Sequence, residues 1–243
     1  MTLSLTVPAR FCGPPRSGNG GWTAGALAAL VPGRTVAAGT VEVTLRRPPP
    51  LDTEIPVTVP SDGLACEVAE ARAVDRELWL AAAETPDRAA AAEASYAGLR
   101  HHPFPTCFSC GTGRGPGDGL RIFPGRVADS PAGGRRVAAT WVPHASVAGP
   151  AGGAEVAEPV TWAALDCVGA WSDDLEERPV VLGRMTARVD SPPVGGARYG
   201  LVGERRAVQG RKTLTASAMY DESGRVLACA EHVWITVDPA AFG

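Results

Sequence analysis

The sequence predicts an α+β protein in which one unit is used twice. Three observations carry this. An apolar helix is followed by alternating, strand-like runs. The same order recurs in the second half of the chain. Between the two lies a stretch rich in proline and glycine that fits neither pattern.

The totals fit a globular chain. With 243 residues it can bury a sizeable core, as one large domain or two small ones. Hydrophobic residues make up 45% and charged residues 20%, and the net charge of -3 gives no basis for a nucleic-acid partner. Lys212 is the only lysine, so arginine carries nearly all the positive charge. No apolar run is long enough to span a bilayer, and MTLSLTVPARFCG lacks the basic and apolar regions of a signal peptide. Six cysteines in such a chain read as reduced thiols, which predicts a cytoplasmic protein.

Taken in order, Leu3 to Val7 alternates weakly, as an edge strand does. Phe11 to Leu30 reads FCGPPRSGNGGWTAGALAAL. Its first part is a loop, and Asn19 is a helix N-cap. Gly20 and Gly21 let something approach the helix start, where unpaired N–H groups can meet an anion or a polarised carbonyl. Trp22 to Leu30 is helical, and Pro32 and Gly33 end it. Strands are expected at Thr35 to Arg47, Glu54 to Val59, Leu64 to Val74 and Glu77 to Ala83, the last two joined by a turn at Asp75 and Arg76. Asp87 to Leu99 reads as a short helix, and HHPFPTCFSCGTGRGPGDG as a connector.

Strands are expected again at Leu120 to Phe123 and Arg136 to Val142. The stretch VAEPVTWAALDCVGAW, Val156 to Trp171, then reads as a helix apolar on nearly every side. Glu158 and Pro159 suit its first turn. Asp166 stands alone in that apolar surround, where an ionised carboxylate is costly unless it is paired or faces a pocket. It is either an edge residue bonded to backbone or a base or nucleophile in a cleft. Strands follow at Val180 to Asp190, Arg198 to Val202, Thr213 to Tyr220 and Val226 to Val237. VTLRRPPPLDTEIPVTV in the first half matches MTARVDSPPVGGARYGLV in the second: long strand, proline break, shorter strand. The repeat predicts units at 1-86 and 119-243 with a connector at 87-118.

A glycine-led apolar helix followed by an antiparallel meander resembles the hotdog fold, and two copies resemble the double-hotdog proteins of the acyl-CoA thioesterase superfamily. NGGWTAGALAAL is similar to that superfamily's HGG motif and its helix, and VTWAALDCVGAW to the helix that carries a catalytic Asp. The resemblance implies two tandem hotdogs, each a curved antiparallel sheet wrapped around a central helix. It also implies a split site, in which a glycine N–H of one unit holds a thioester carbonyl and an acid of the other acts on it. The first half keeps Gly20 and Gly21 but no acid in its helix. The second keeps Asp166 but has Glu158 and Pro159 where glycines would stand. Asn19 replaces the usual His, so a different group caps the helix or meets the carbonyl.

The resemblance thus implies thioester hydrolysis, with Asp166 and Asn19 catalytic and Gly20, Gly21 and Trp22 around the oxyanion and substrate. It implies no cofactor and no metal. The expected partner is acyl-CoA or a related thioester, with no nucleic acid and no membrane, on a monomeric pseudo-dimer or a homodimer of double hotdogs. Arg46, Arg47, Arg184, Arg205, Arg206 and Arg211 are candidates for CoA phosphates. One alternative is a non-catalytic acyl-CoA or small-ligand binder. Another is a hydratase, but His144 and His232 lie far from Asp166 in sequence. Zinc on His101, His102, Cys107 and Cys110 is weaker, because there is one Cys pair and adjacent histidines diverge. A redox role for that pair lacks a helix start to lower a thiol pKa.

Overall fold

The computed structural model describes residues 3–32, 39–149, 154–173, 175–238 and 240. Its strands are β1 (Leu3–Leu5), β2 (Thr40–Leu45), β3 (Ile55–Val57), β4 (Leu64–Ala65), β5 (Ala69–Val74), β6 (Gly125–Val127), β7 (Arg136–Trp141), β8 (Val180–Val189), β9 (Tyr199–Gln209), β10 (Lys212–Tyr220) and β11 (Val226–Thr236). Its α-helices are α1 (Gly20–Ala28), α2 (Pro86–Ala92) and α3 (Glu158–Ala170).

Nine strands form one antiparallel sheet in the order β4-β5-β2-β8-β11-β10-β9-β7-β6, and β1 pairs with β3 in a small second sheet. A bridge between Thr58 and Ala65 joins β3 to β4. The first half therefore runs β2-β5-β4-β3-β1 and the second β8-β11-β10-β9-β7. These are the same order, strand for strand. The halves meet where β2 pairs with β8, from Val41 opposite Ala187 to Thr44 opposite Arg184. Two copies of a strand–helix–four-strand unit thus meet edge to edge in the nine-stranded sheet, as the repeat in the sequence predicts.

The helices α1 and α3 pack against each other, α1 also against β2, β5 and β8 and α3 against β7 to β11. Small residues set how close they come. A Cβ on Gly25 would lie 2.7 Å from the Cβ of Trp162, and one on Gly21 only 2.4 Å from the Cβ of Asp166. Residue 21 opposes 166 and residue 25 opposes 162, so the helices run antiparallel. The buried side chains Trp162, Leu165, Leu27 and Met185 belong to the core that surrounds them.

Several expectations need correction. Leu64 to Val74 is a tight hairpin, β4 and β5, rather than one strand; the turn at 66–68 replaces the one expected at Asp75 and Arg76. Glu77 to Ala83 forms no strand and pairs with none among the described residues. It crosses the second half instead, where Trp79 N–H donates to Glu231 Oε1 at 2.8 Å and Arg136 Nη2 donates to Ala82 O at 2.6 Å. Alternation reports an extended chain; it does not say whether a strand or a side chain will meet its carbonyls. The helix expected over 87–99 ends at Ala92 and gives way to two 3-10 turns, since Tyr96 leaves helical geometry with ψ 117° to bury its ring. Leu120 to Phe123 is not a strand. Arg121 has φ 55°, which breaks an extended run, and the strand begins later, at Gly125. Part of the strand expected at Thr35 to Arg47 lies outside the described residues; Thr40–Leu45 is strand.

Candidate active site between the two central helices

The site begins with the start of α1. Asn19 is the N-cap: its Oδ1 accepts the Trp22 N–H at 2.8 Å, and its carbonyl accepts from Thr23 N–H at 3.0 Å. Its Nδ2 donates to Ser109 Oγ at 3.3 Å, and Ser109 Oγ donates to the Ala163 carbonyl of α3 at 2.8 Å. The connector thus ties the cap of one helix to the flank of the other.

Asp166 is brought to the same place from α3. It is 2% exposed, and its Oδ2 accepts the Gly21 N–H at 2.9 Å. Its Oδ1 has no hydrogen-bond partner among the described residues. Burial pushes the carboxyl up to about 7; the nearby Cys107 adds to this, while the Gly21 N–H and the Asn19 side chain oppose it. An orphaned buried carboxylate oxygen is costly, and such costs gather at functional sites.

A cavity of about 280 Å³ opens beside these groups. Leu45, Pro49, Phe104, Trp171, Leu182 and Trp234 make it mostly apolar, and Asn19, Gly20 and Asp166 line it. Of the five predicted residues, those three share the cavity. Gly21 contributes its N–H to Asp166 rather than to the cavity. Trp22 does not line the cavity; its ring stacks on Phe11 at 4.4 Å. With Trp22 N–H held by Asn19, the Gly20 N–H is the helix-start donor left without a partner among the described residues.

Of the candidate arginines, Arg46 and Arg47 are exposed and line the cavity. Arg46 also pairs with Glu70 at 2.8 Å. The others are engaged elsewhere: Arg184 with Glu42, Arg205 with Asp173, Arg206 over the Trp79 ring, Arg211 with the Thr236 carbonyl.

Sequence reasoning missed the sulfur wall of this cavity. Cys107 and Cys110 from the connector line it together with Cys167, which follows Asp166 on α3. The only signal was the Cys-x-x-Cys spacing; nothing local to it points to Cys167.

Neither His144 nor His232 lines the cavity, so neither meets Asp166 there; the histidine that does line it, His102, has its two ring nitrogens turned to the Phe104 N–H and to Cys110 Sγ. His144 caps a 3-10 turn and accepts the Ser146 N–H. His232 is buried under Gly169 of α3, with Nδ1 3.2 Å from Thr215 Oγ1, the Trp234 ring stacked on it and no partner for Nε2 among the described residues. Burial pushes it down to about 3. It therefore folds neutral, and its contribution is complete above pH 6.5 and lost as pH falls toward 3. Asp166, with its raised pKa, changes stability in the opposite direction over part of this range, so the wild type alone will look flat. The stability of His232→Asn relative to wild type is expected to rise by about 2 kcal/mol between pH 7.5 and pH 5. Urea unfolding of both proteins at the two pH values measures it, and a difference independent of pH would contradict it.

No protein-family model and no curated protein matches the chain. Solved structures do. The tesB protein of Mycobacterium avium subs paratuberculosis superposes with a TM-score of 0.59 at 12% identity, over 98% of this chain and 93% of its own. A candidate thioesterase from Novosphingobium aromaticivorans gives 0.61 at 13% identity, over 97% and 95%. A protein of unknown function with a hot dog fold from Alicyclobacillus acidocaldarius gives 0.56 at 13% identity, over 98% and 94%. At such identities the likeness concerns architecture, and it spans nearly the whole of every chain. This protein is two hotdog folds in tandem.

Proposed function

We propose that the protein hydrolyses an acyl thioester of the acyl-CoA type at one composite site between its two hotdog units. The observation that carries this reading is the meeting of a buried carboxylate, one oxygen unpartnered, with the amide end of a helix in an apolar cavity. The names of two of the similar structures, a tesB protein and a candidate thioesterase, support the same chemistry. On this reading the units are residues 1-86 and 119-243, and the connector 87-118 walls the cavity.

In the proposed reaction the acyl group lies in the cavity. At about 280 Å³ the cavity is at the small end of ligand pockets, so the nucleotide part of CoA stays outside, near Arg46 and Arg47. The Gly20 N–H donates to the thioester oxygen, and Asn19 orients that carbonyl or the attacking water. Asp166 takes a proton from water as the oxygen attacks the carbonyl carbon. Negative charge collects on the carbonyl oxygen, where a well-placed donor is worth about 3–4 kcal/mol of barrier. The C–S bond then breaks and the leaving thiolate takes the proton, giving a carboxylic acid and a thiol. Gly21 holds the other Asp166 oxygen throughout and fixes its direction.

The test is a panel of acyl-CoA esters of increasing chain length, with free thiol release as the readout. Turnover of at least one ester, saturating with concentration, is expected. A second reading is a binder without chemistry, favoured by the Gly21 N–H being held by Asp166 as an interhelical cap. It predicts saturable binding of the same esters with no thiol released, which would overturn hydrolysis. We also place the protein in the cytoplasm, a reducing compartment that suits six free thiols.

A further inference from the structure

We propose that Cys107, Cys110 and Cys167 together bind one soft divalent metal ion of the zinc type. The three Sγ atoms lie within 4.8 Å of one another, and Cys107 and Cys167 are 3.6 Å apart. A tetrahedral ion with metal–sulfur bonds of about 2.3 Å places its sulfurs about 3.8 Å apart, so the cluster is near the size of such a site. It is too open for a disulfide, whose sulfurs sit about 2.05 Å apart, and a disulfide would use only two of the three. The inference is independent of the thioesterase reading.

The chain is shaped to bring these atoms together. Cys107 and Cys110 stand at the Cys-x-x-Cys spacing of zinc sites, in a turn closed by Gly111 N–H to the Cys107 carbonyl at 2.9 Å. Only glycine fits at 111, since a Cβ there would come within 2.5 Å of that same carbonyl oxygen. The third sulfur comes from α3, 60 residues away from Cys107 in sequence. All three cysteines are buried, at 5%, 3% and 8% exposure. The remaining cysteines, Cys12, Cys66 and Cys229, belong to no such group among the described residues.

The surroundings suit thiolates. His102 Nδ1 accepts the Phe104 N–H at 3.0 Å, so the neutral ring carries its proton on Nε2, which lies 3.3 Å from Cys110 Sγ. His102 then acts as a hydrogen-bond donor to a ligand sulfur, the usual role of a group just outside a metal's ligands. Asn19 Nδ2 stands 3.7 Å from Cys107 Sγ and is a second donor. The fourth ligand position faces the cavity, which all three cysteines line, and takes a water from it. Such an ion fastens the connector to α3 and rigidifies the wall next to Asp166.

The test uses the full chain, reduced and stripped of metal, then mixed with excess Zn²⁺ and separated from unbound ion by gel filtration. Elemental analysis is expected to find about one ion per chain. Co²⁺ in its place is expected to give a thiolate-to-metal charge-transfer absorption and the visible bands of a tetrahedral site. Cys110→Ser and Cys167→Ser are expected to lower retention by about tenfold or more, while Cys66→Ser keeps the full equivalent. Should a triad variant unfold, adding Zn²⁺ to stripped wild type is expected to raise its melting temperature, as any ligand of the native state does. Retention below about a tenth of an equivalent with no cobalt band would overturn the proposal, as would retention unchanged by every triad substitution.

Discussion

Asp166→Asn is expected to lower thioester turnover by about 10³-fold while the protein stays folded. The two side chains have nearly the same shape. The Asn oxygen can still accept the Gly21 N–H that Oδ2 accepts at 2.9 Å, so the helix pair keeps its contact. What disappears is the proton acceptor at the unpartnered oxygen. A buried charge disappears with it, so the melting temperature is expected to hold or rise rather than fall. KM should change little, because the acyl cavity is untouched. Thiol-release kinetics and calorimetry on the same samples check both parts. If Asp166 were only an interhelical cap, the variant would keep its turnover. Unchanged turnover in a folded variant therefore removes the carboxylate from the chemistry.

Much of the fold was legible because its signals are local. An Asn before two glycines starts a helix by capping it. A proline break after a long Val- and Thr-rich run ends a strand. The strand with its proline break recurs at the matching place in the second half, whose helix starts on Glu158 and Pro159 instead, and the repeat of strand order follows. Long-range pairing was not legible. Glu77 to Ala83 has the composition of a strand, but its neighbours are Glu231, Arg136 and Tyr220 from the second half, which no pattern within the segment announces. β9 is longer than expected because Glu204 to Gln209, at its polar end, still pairs with β10. Polar composition hid a ladder that the backbone alone makes.

The candidate site shows the same division. Asp166 and Asn19 stood out because each is unusual where it stands: an acid inside an apolar helix, and a capping side chain at a glycine-led start. Cys167 did not, since a cysteine in an apolar helix is an ordinary small hydrophobe until the connector arrives beside it. Gly21 was legible as a glycine that matters but not for which reason. Glycine serves both where an amide must be bared and where another backbone must come close, and one sequence cannot separate these uses. Here the second dominates: the Gly21 N–H meets α3, and so does the place where its side chain would be.

That double use gives Gly21→Ala a large effect of unusual sign. In an isolated helix, Ala in place of Gly stabilises by about 1 kcal/mol. Gly21 has no positive φ, so nothing in its own backbone resists the change. Yet the new methyl would lie 2.4 Å from the Asp166 Cβ and 2.9 Å from the Trp162 carbonyl oxygen. Neither neighbour is the free end of a flexible chain; both are fixed to α3. The helices must move apart, and the close packing at Gly25, where a Cβ would meet Trp162 at 2.7 Å, opens with them. Overpacking of this kind costs about 1–3 kcal/mol beyond what the propensity returns. The expected melting temperature is lower by roughly 3–10 °C. Turnover should fall further than the folded fraction does, because a shift of about 1 Å between the α1 amides and Asp166 is enough to cost about 10²-fold. Gly115→Ala is the control, as a Cβ there meets nothing within 4 Å, and it should be near neutral. A Gly21→Ala protein that melts at or above wild type would mean that the two helices do not lie in contact at this point, and the shared site would lose its geometric basis.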